Sequence, residues 1–199
     1  MQQAAKRALD VLLALVGLVV TLPLSLAIAV WIRREGPGPI LFRQGRVGQH
    51  GRMFQLVKFR SMVPGAEQQW QAPQHAQELL ALRFQDEGDA RITRTGRWLR
   101  RTSLDELPNL WNVLVGDMSL VGPRPEVPEI VALYDDAMRQ RLAVKPGMTG
   151  LAQVSGRGAL TTADTIRFDL EYCRGWSLAR DLEILCRTVS SVARRDGAM

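Results

Sequence analysis

From Val11 to Ile32 the chain runs through 22 residues without a charge, with Lys6 and Arg7 before the run and Arg33 and Arg34 after it. As a straight helix this run would extend about 33 Å, enough to cross a bilayer core of about 30 Å. Pro23 stands at its middle. A proline there removes a helix hydrogen bond and crowds the carbonyl four residues back, so a kink is predicted. Cations at both ends give the charge rule for membrane orientation no direction. A helix that enters the bilayer, bends at Pro23 and leaves by the same face satisfies both observations; an ordinary spanning anchor is the alternative. A cleaved signal peptide fits less well, because no small-residue cleavage site precedes the Arg33-Arg34 pair.

Beyond a turn at Gly36 to Pro39, residues 39–60 alternate apolar and polar positions around Gly48 and Gly51, the pattern of a short hairpin. Ser61 to Asp89 is rich in Gln, carries Pro64 and Pro73, and reads as a helical excursion with loops. Its Trp70, Leu79, Leu80 and Leu82 suit either core or membrane surface. Ser103 and Glu106 have the spacing of a capping box, with Pro108 in the first turn of a helix through Leu110, Trp111, Val113 and Leu114. A start at Pro108 itself would leave the acidic residues just ahead of the helix. Glu126 to Leu142 predicts a core-facing helix opened by Pro128, with Ile130, Val131, Leu133, Tyr134 and Met138 as its apolar side. The final helix, Ser177 to Arg195, aligns Leu178, Leu182, Leu185, Val189 and Val192 beside Arg180, Arg187, Arg194 and Arg195. With Trp176 at its start it suits an interfacial helix, or one packed on the core with a solvated basic face.

The predicted fold is α+β: a small, mostly helical, membrane-associated domain with a re-entrant N-terminal helix, a short hairpin and interfacial amphipathic helices. Residues 1–35 form the membrane segment and its flanks, and 36–199 a cytosol-facing domain. A net charge of +6 and a pI near 10.1 call for an anionic partner, which nucleic acid and anionic lipid both satisfy. Cys173 and Cys186, with His50 and His75, offer no zinc spacing and suit a reduced, cytosol-facing chain.

The chemistry concentrates between Leu99 and Glu126, LRRTSLDELPNLWNVLVGDMSLVGPRPE. Neighbouring side chains on a helix point about 100° apart, so Asp105 and Glu106 can share a site only at a helix end or turn. There the helix dipole would favour both as carboxylates. A Ser-x-x-Glu helix start is common by itself, and its surroundings change the reading. Arg100 and Arg101 precede the pair. Arg124 lies between Pro123 and Pro125, a fork suited to phosphate on a stiffened turn. Lys58 and Arg60 alternate on one predicted strand. Cations around paired carboxylates point to a phosphorylated substrate and a divalent metal. The glycine-rich loop KPGMTGLAQVSGRG, with Lys145 and Arg157, would let backbone amides approach a phosphate or nucleotide.

The central stretch closely resembles the bacterial sugar transferase family, the monotopic polyprenyl-phosphate phosphoglycosyl transferases. So do KRALD near the N-terminus, FRQGRVGQHGRMFQLVKFRSM, DARITRTGRWLRR and KPGMTGLAQVSGRG, and together these cover nearly the whole chain. The resemblance implies transfer of a phosphosugar from a UDP-sugar to undecaprenyl phosphate, with release of UMP. It implies Asp105 as nucleophile, Glu106 as its partner and ligand to Mg2+, and Lys58, Arg60, Arg100 and Arg124 around the phosphates, to which the glycine-rich loop adds Arg157 as a candidate. It also implies a helix break at Pro23 and a place at the bacterial inner membrane with the site on the cytoplasmic face. The partners are then membrane lipid and a UDP-sugar rather than nucleic acid, and a homodimer is the candidate assembly. Longer members carry a further N-terminal membrane region, so the chain is expected to be the catalytic unit alone. A phosphohydrolase using the same pair, or a non-catalytic basic scaffold, are the rival classes. Neither the sugar nor the pathway is legible.

Overall fold

The computed structural model describes residues 2–82, 89–156 and 159–194. Helix α1, Gln2–Glu35, runs through Pro23, and both of its ends sit on the same body. At the start, the Lys6 ammonium donates to the Val121 carbonyl (3.1 Å) and to Asp181 (2.6 Å). The Arg7 guanidinium donates to the carbonyls of Val113 (2.6 Å) and Leu114 (2.9 Å), and buried Asp10 accepts the Leu120 amide (3.0 Å). At the other end Ile28 and Ile32 are buried with Phe59 and Leu99, and Glu35 accepts the Thr95 amide (3.0 Å). Ala14 is fully buried between these ends, and Gly17 lets α1 close on Leu110, whose Cδ1 would lie 3.0 Å from an added Cβ. The outward surface is apolar and open, with Val19 65% and Val20 71% exposed. An apolar surface of this extent, on a helix long enough to cross a membrane, marks membrane association.

Strands β1 (Leu41–Val47) and β2 (Met53–Phe59) form the expected hairpin, with Leu41 opposite Phe59 and Val47 opposite Met53. Its turn is closed by the Gly48 amide on the Arg52 carbonyl (2.7 Å), with His50 in the left-handed region. The 61–89 excursion contains α2, Ala76–Ala81, and decides part of the open question: Leu79 is core, while Trp70 stays 37% exposed.

Helix α3, Arg94–Thr102, is opened by Thr93, whose side chain accepts the Gly96 amide. It lies so close to the hairpin exit that a Cβ on Gly96 would fall 1.9 Å from the Ser61 carbonyl oxygen. Its outer stripe is Arg94, Arg97, Trp98 and Arg101, and the Trp98 ring sits 5.3 Å from that of Trp31 on α1. Helix α4 (Asn109–Val115) leads to β3 (Ser119–Val121), which pairs in parallel with β4 (Gly147–Thr149). The single helix expected over 126–142 is divided into α5 (Pro128–Val131) and α6 (Asp136–Arg139). Asp135 causes the division, because its side chain accepts the Met138 amide and starts a new helix (2.8 Å). Ile130, Val131 and Tyr134 are core as predicted.

Helices α7 (Leu151–Ser155), α8 (Thr162–Arg174) and α9 (Leu178–Arg194) complete the chain. On α9 the apolar stripe read from sequence is mostly outward, as the interfacial alternative has it, and only its Leu185 packs against the core. Asp181 and Ile184 face the core, while Leu182 and Val189 are 48% and 71% exposed. The buried side is chosen by Asp181, which accepts from Lys6, Tyr172 (2.7 Å) and Trp176 (3.2 Å), an attraction that apolar periodicity does not register.

Changing Gly96 to Ala should force α3 off Ser61 and lower unfolding free energy by about 1–3 kcal/mol, read as a reduced thermal midpoint in detergent.

Candidate active site

Helix α3 ends at Ser103, whose φ of 56° lies in the left-handed region. Ser103 therefore closes α3 and gives the following turn no side-chain cap, so of the two starts read from sequence the capping box with Glu106 is not formed and the start at Pro108 is the one observed. A single 3-10 turn, Leu104–Glu106, follows, and α4 starts after Pro108. The acidic pair thus occupies a turn between two helices. This is how adjacent side chains come to share one site.

The two carboxylates are treated differently. Glu106 Oε1 accepts from Lys58 Nζ at 2.6 Å and from Arg124 Nη2 at 2.9 Å. Asp105 is 8% exposed, and among the described residues no hydrogen bond reaches its carboxylate. Burial pushes the Asp105 carboxyl up, opposed by Lys58 and reinforced by Glu106. Burial acts upward on Glu106 as well, but Arg124 and Lys58 outweigh it and hold that carboxyl well below the usual range. The expectation that both acids would be favoured as anions holds for Glu106 and is corrected for Asp105, where desolvation exceeds the neighbouring cations. The Glu106 carboxylate in turn raises the Arg124 guanidinium, and burial lowers the Lys58 ammonium. Arg100 Nε donates to Ser61 Oγ (3.1 Å), which sets a further positive charge near Asp105.

Each cation arrives from a different segment. Lys58 is held on β2 through buried Asn112 of α4, which donates to the Gln55 carbonyl (2.7 Å) and accepts the Val57 amide (3.1 Å). Arg124 follows β3 on a turn seated against the strand pair. The Gly122 amide donates to the Thr149 carbonyl (2.8 Å) and the Gly147 amide to that of Pro123 (2.8 Å). Gly122 is required by this approach, since a Cβ there would meet the Lys145 carbonyl oxygen at 2.4 Å. Arg46 of β1 donates to the Pro125 carbonyl (2.9 Å), and buried Arg141 to that of Arg124 (2.9 Å). Asn112, Arg46 and Arg141 were not singled out in sequence. The available signal is a polar or charged residue at an inward position of an apolar pattern.

Of the predicted site residues, the fold brings together Lys58, Arg100, Asp105, Glu106 and Arg124. Arg60 goes elsewhere: β2 ends at Phe59, and the Arg60 guanidinium donates to the carbonyls of Ile32 (3.0 Å), Gly36 (3.1 Å) and Pro37 (2.8 Å), capping α1. Pro23 lies within α1, and Arg157 lies outside the described residues. Among the described residues no three His, Cys, Asp or Glu cluster as a closed metal cage. Among the described residues no hydrogen bond occupies Glu106 Oε2 or the Asp105 oxygens, and carboxylate oxygens are the donor type a hard divalent cation takes.

Because Asp105 has a raised pKa, the native state holds its proton more tightly than the unfolded chain, and stability falls as pH climbs from the ordinary carboxyl value through the native one. Asp105→Asn should therefore raise the thermal midpoint at neutral pH, and the gain should shrink as pH falls below the native value and vanish below the ordinary carboxyl value. Thermal melts of both proteins across pH check this.

A model of the bacterial sugar transferase family matches residues 1–195. The galactosyl transferase CpsE of Streptococcus agalactiae is 42% identical over 195 residues, covering 98% of this chain and 43% of that protein. The undecaprenyl-phosphate galactose phosphotransferase of Salmonella typhimurium is 42% identical over 203 residues, covering 97% and 41%. The UDP-glucose:undecaprenyl-phosphate glucose-1-phosphate transferase of Caulobacter vibrioides is 44% identical over 201 residues, covering 97% and 71%. The chain thus spans about two-fifths of the length of the first two relatives. With the match running through the acidic turn and the turn that carries Arg124, the chain belongs to the bacterial sugar transferase family.

Proposed function

We propose that the chain transfers a sugar phosphate from a UDP-sugar to undecaprenyl phosphate through a covalent intermediate on Asp105. The observation that carries the assignment of roles is the asymmetry of the pair: Glu106 is engaged by two cations, and Asp105 is buried with no hydrogen bond to its oxygens among the described residues. An Asp105 oxygen attacks the phosphorus joined to the sugar. The bond from that phosphorus to the bridging oxygen breaks, and UMP departs with the electron pair. The resulting acyl phosphate is then attacked by a phosphate oxygen of the lipid. The Asp105 carboxylate is released, leaving a diphosphate-linked sugar on the lipid. Desolvation makes Asp105 more basic, and Lys58, Arg100 and Arg124 favour its ionised form. Arg124 and Arg100 hold the transferred phosphoryl group in line. Magnesium bound by Glu106 and the diphosphate oxygens would supply charge neutralisation as UMP leaves.

The acceptor phosphate lies at the membrane surface, so the carboxylates must reach that depth. The arrangement of α1 supports a re-entrant reading. Lys6, Arg7 and Asp10 at one end and Ile32 and Glu35 at the other are held by one body, while the apolar face between them is open to lipid. The helix then dips into the bilayer, bends at Pro23 and keeps the domain on the cytoplasmic side of the inner membrane, where UDP-sugars are found. The lipid-linked product opens the assembly of an exopolysaccharide or another glycoconjugate.

UMP release by the detergent-solubilised protein should require undecaprenyl phosphate, one preferred UDP-sugar and magnesium, and should stop on chelation. Asp105→Asn should lower turnover by about 10³-fold or more. Full turnover in that folded variant would remove Asp105 as nucleophile, and free sugar phosphate as product would indicate a hydrolase. In cells, cysteines placed near residues 2 and 36 should both be labelled from the cytoplasm. Labelling of the N-terminus from the periplasm would overturn the re-entrant topology.

A further inference from the structure

Arg141 and Asp169 are 3% and 1% exposed and take no part in the chemistry proposed above. Arg141 lies on a 3-10 turn, Gln140–Ala143, and Asp169 on α8. Arg141 Nε donates to Asp169 Oδ2 (2.9 Å), Nη2 also donates to that oxygen, and Nη1 donates to the Tyr134 hydroxyl. The remaining contact leaves this cluster: Nη2 donates to the Arg124 carbonyl at 2.9 Å.

A buried ion pair is a weak device for stability, because desolvation offsets most of the attraction and an apolar pair of similar volume often does as well. What a guanidinium offers instead is direction. Its planar fork delivers several hydrogen bonds in fixed geometry, and here Asp169 and Tyr134 lock the plane. The target is equally constrained. Pro123 and Pro125 restrict the backbone on both sides of Arg124, so fixing its carbonyl fixes the direction in which its side chain leaves. That side chain then donates to Glu106.

We infer that Arg141, oriented by Asp169 and Tyr134, is a positioning residue that aims Arg124 at Glu106 and the transferred phosphate. The inference rests on the transferase reading for its kinetic test only. Arg141→Lys keeps the charge but cannot reach Asp169, Tyr134 and the Arg124 carbonyl together. It should lower kcat by about tenfold or more with KM for the UDP-sugar within about twofold, and the same change in an Arg124→Ala background should alter kcat by less than about twofold. Asp169→Glu should retain more activity than Asp169→Asn. Losses that multiply in the double variant, or an undiminished kcat in folded Arg141→Lys, would overturn the inference. If Arg141→Lys loses its cooperative thermal transition, Tyr134→Phe leaves the ion pair in place and should give a smaller loss, again absent in the Arg124→Ala background; a multiplicative loss counts against the inference. A measurement without turnover separates this idea from the reaction itself. The Arg124 Nε–H resonance, assigned by its disappearance in Arg124→Ala, should shift in the Arg141 variant, and an unmoved resonance overturns the inference whether or not any sugar is transferred.

Discussion

One carboxylate oxygen, Glu106 Oε1, accepts from two cations that reach it from a hairpin strand and from a distant turn. Bringing Lys58 and Glu106 together takes two charges largely out of bulk water, with the more exposed Arg124 beside them, which is unfavourable unless each buried charge finds its partner at close range. The surrounding structure supplies that condition. Asn112 fastens β2 to α4, and Gly96 lets α3 lie on the hairpin exit. The strand pair β3 and β4 offers the amide and carbonyl that seat the Arg124 turn. A shift of 1 Å in any of these would separate a charge from its partner, so the packing of a small domain becomes a requirement of its electrostatics.

The same logic explains the N-terminal helix. Charges flanking an apolar run ordinarily meet headgroups, but here Lys6, Arg7 and Asp10 turn inward onto a strand, a helix end and a buried acid. Arg60 and Glu35 do the equivalent work at the other end. The membrane helix is therefore joined to the site through its ends: Lys6 holds the carbonyl of Val121, three residues before Arg124, and Ile32 packs with Phe59, next to Lys58. The depth of the helix in lipid and the height of the carboxylates become one quantity.

Much of this was legible because it is local. Alternation found the hairpin, the uninterrupted apolar run found α1, and two carboxylates with arginines on proline-stiffened turns marked the site. What escaped was the choice among distant partners. Strand alternation places Lys58 and Arg60 on one side, yet the strand ends between them, and free carbonyls at the end of α1 take Arg60. The spacing from Ser103 to Glu106 suits a cap, yet the left-handed residue needed to leave α3 falls on Ser103. On α9 apolar periodicity left two readings open, and the buried bonds of Asp181 are what turn the opposite side inward. Each departure occurs where a charge or a carbonyl far along the chain outbids the local pattern.

Asp105 and Glu106 are alike in chemistry and adjacent in sequence, so residue type cannot divide their roles. Environment does. Two cations hold Glu106 ionised and engaged, while Asp105, one residue earlier on a tight turn, is desolvated and receives no hydrogen bond among the described residues. Pairs of acids whose surroundings push their proton affinities apart are the usual means by which one site runs two functions. A longer helix through this segment would have sent the two side chains to different faces, and a more open turn would have hydrated both. The short turn between α3 and α4 is the backbone solution that keeps them together and lets neighbouring segments distinguish them.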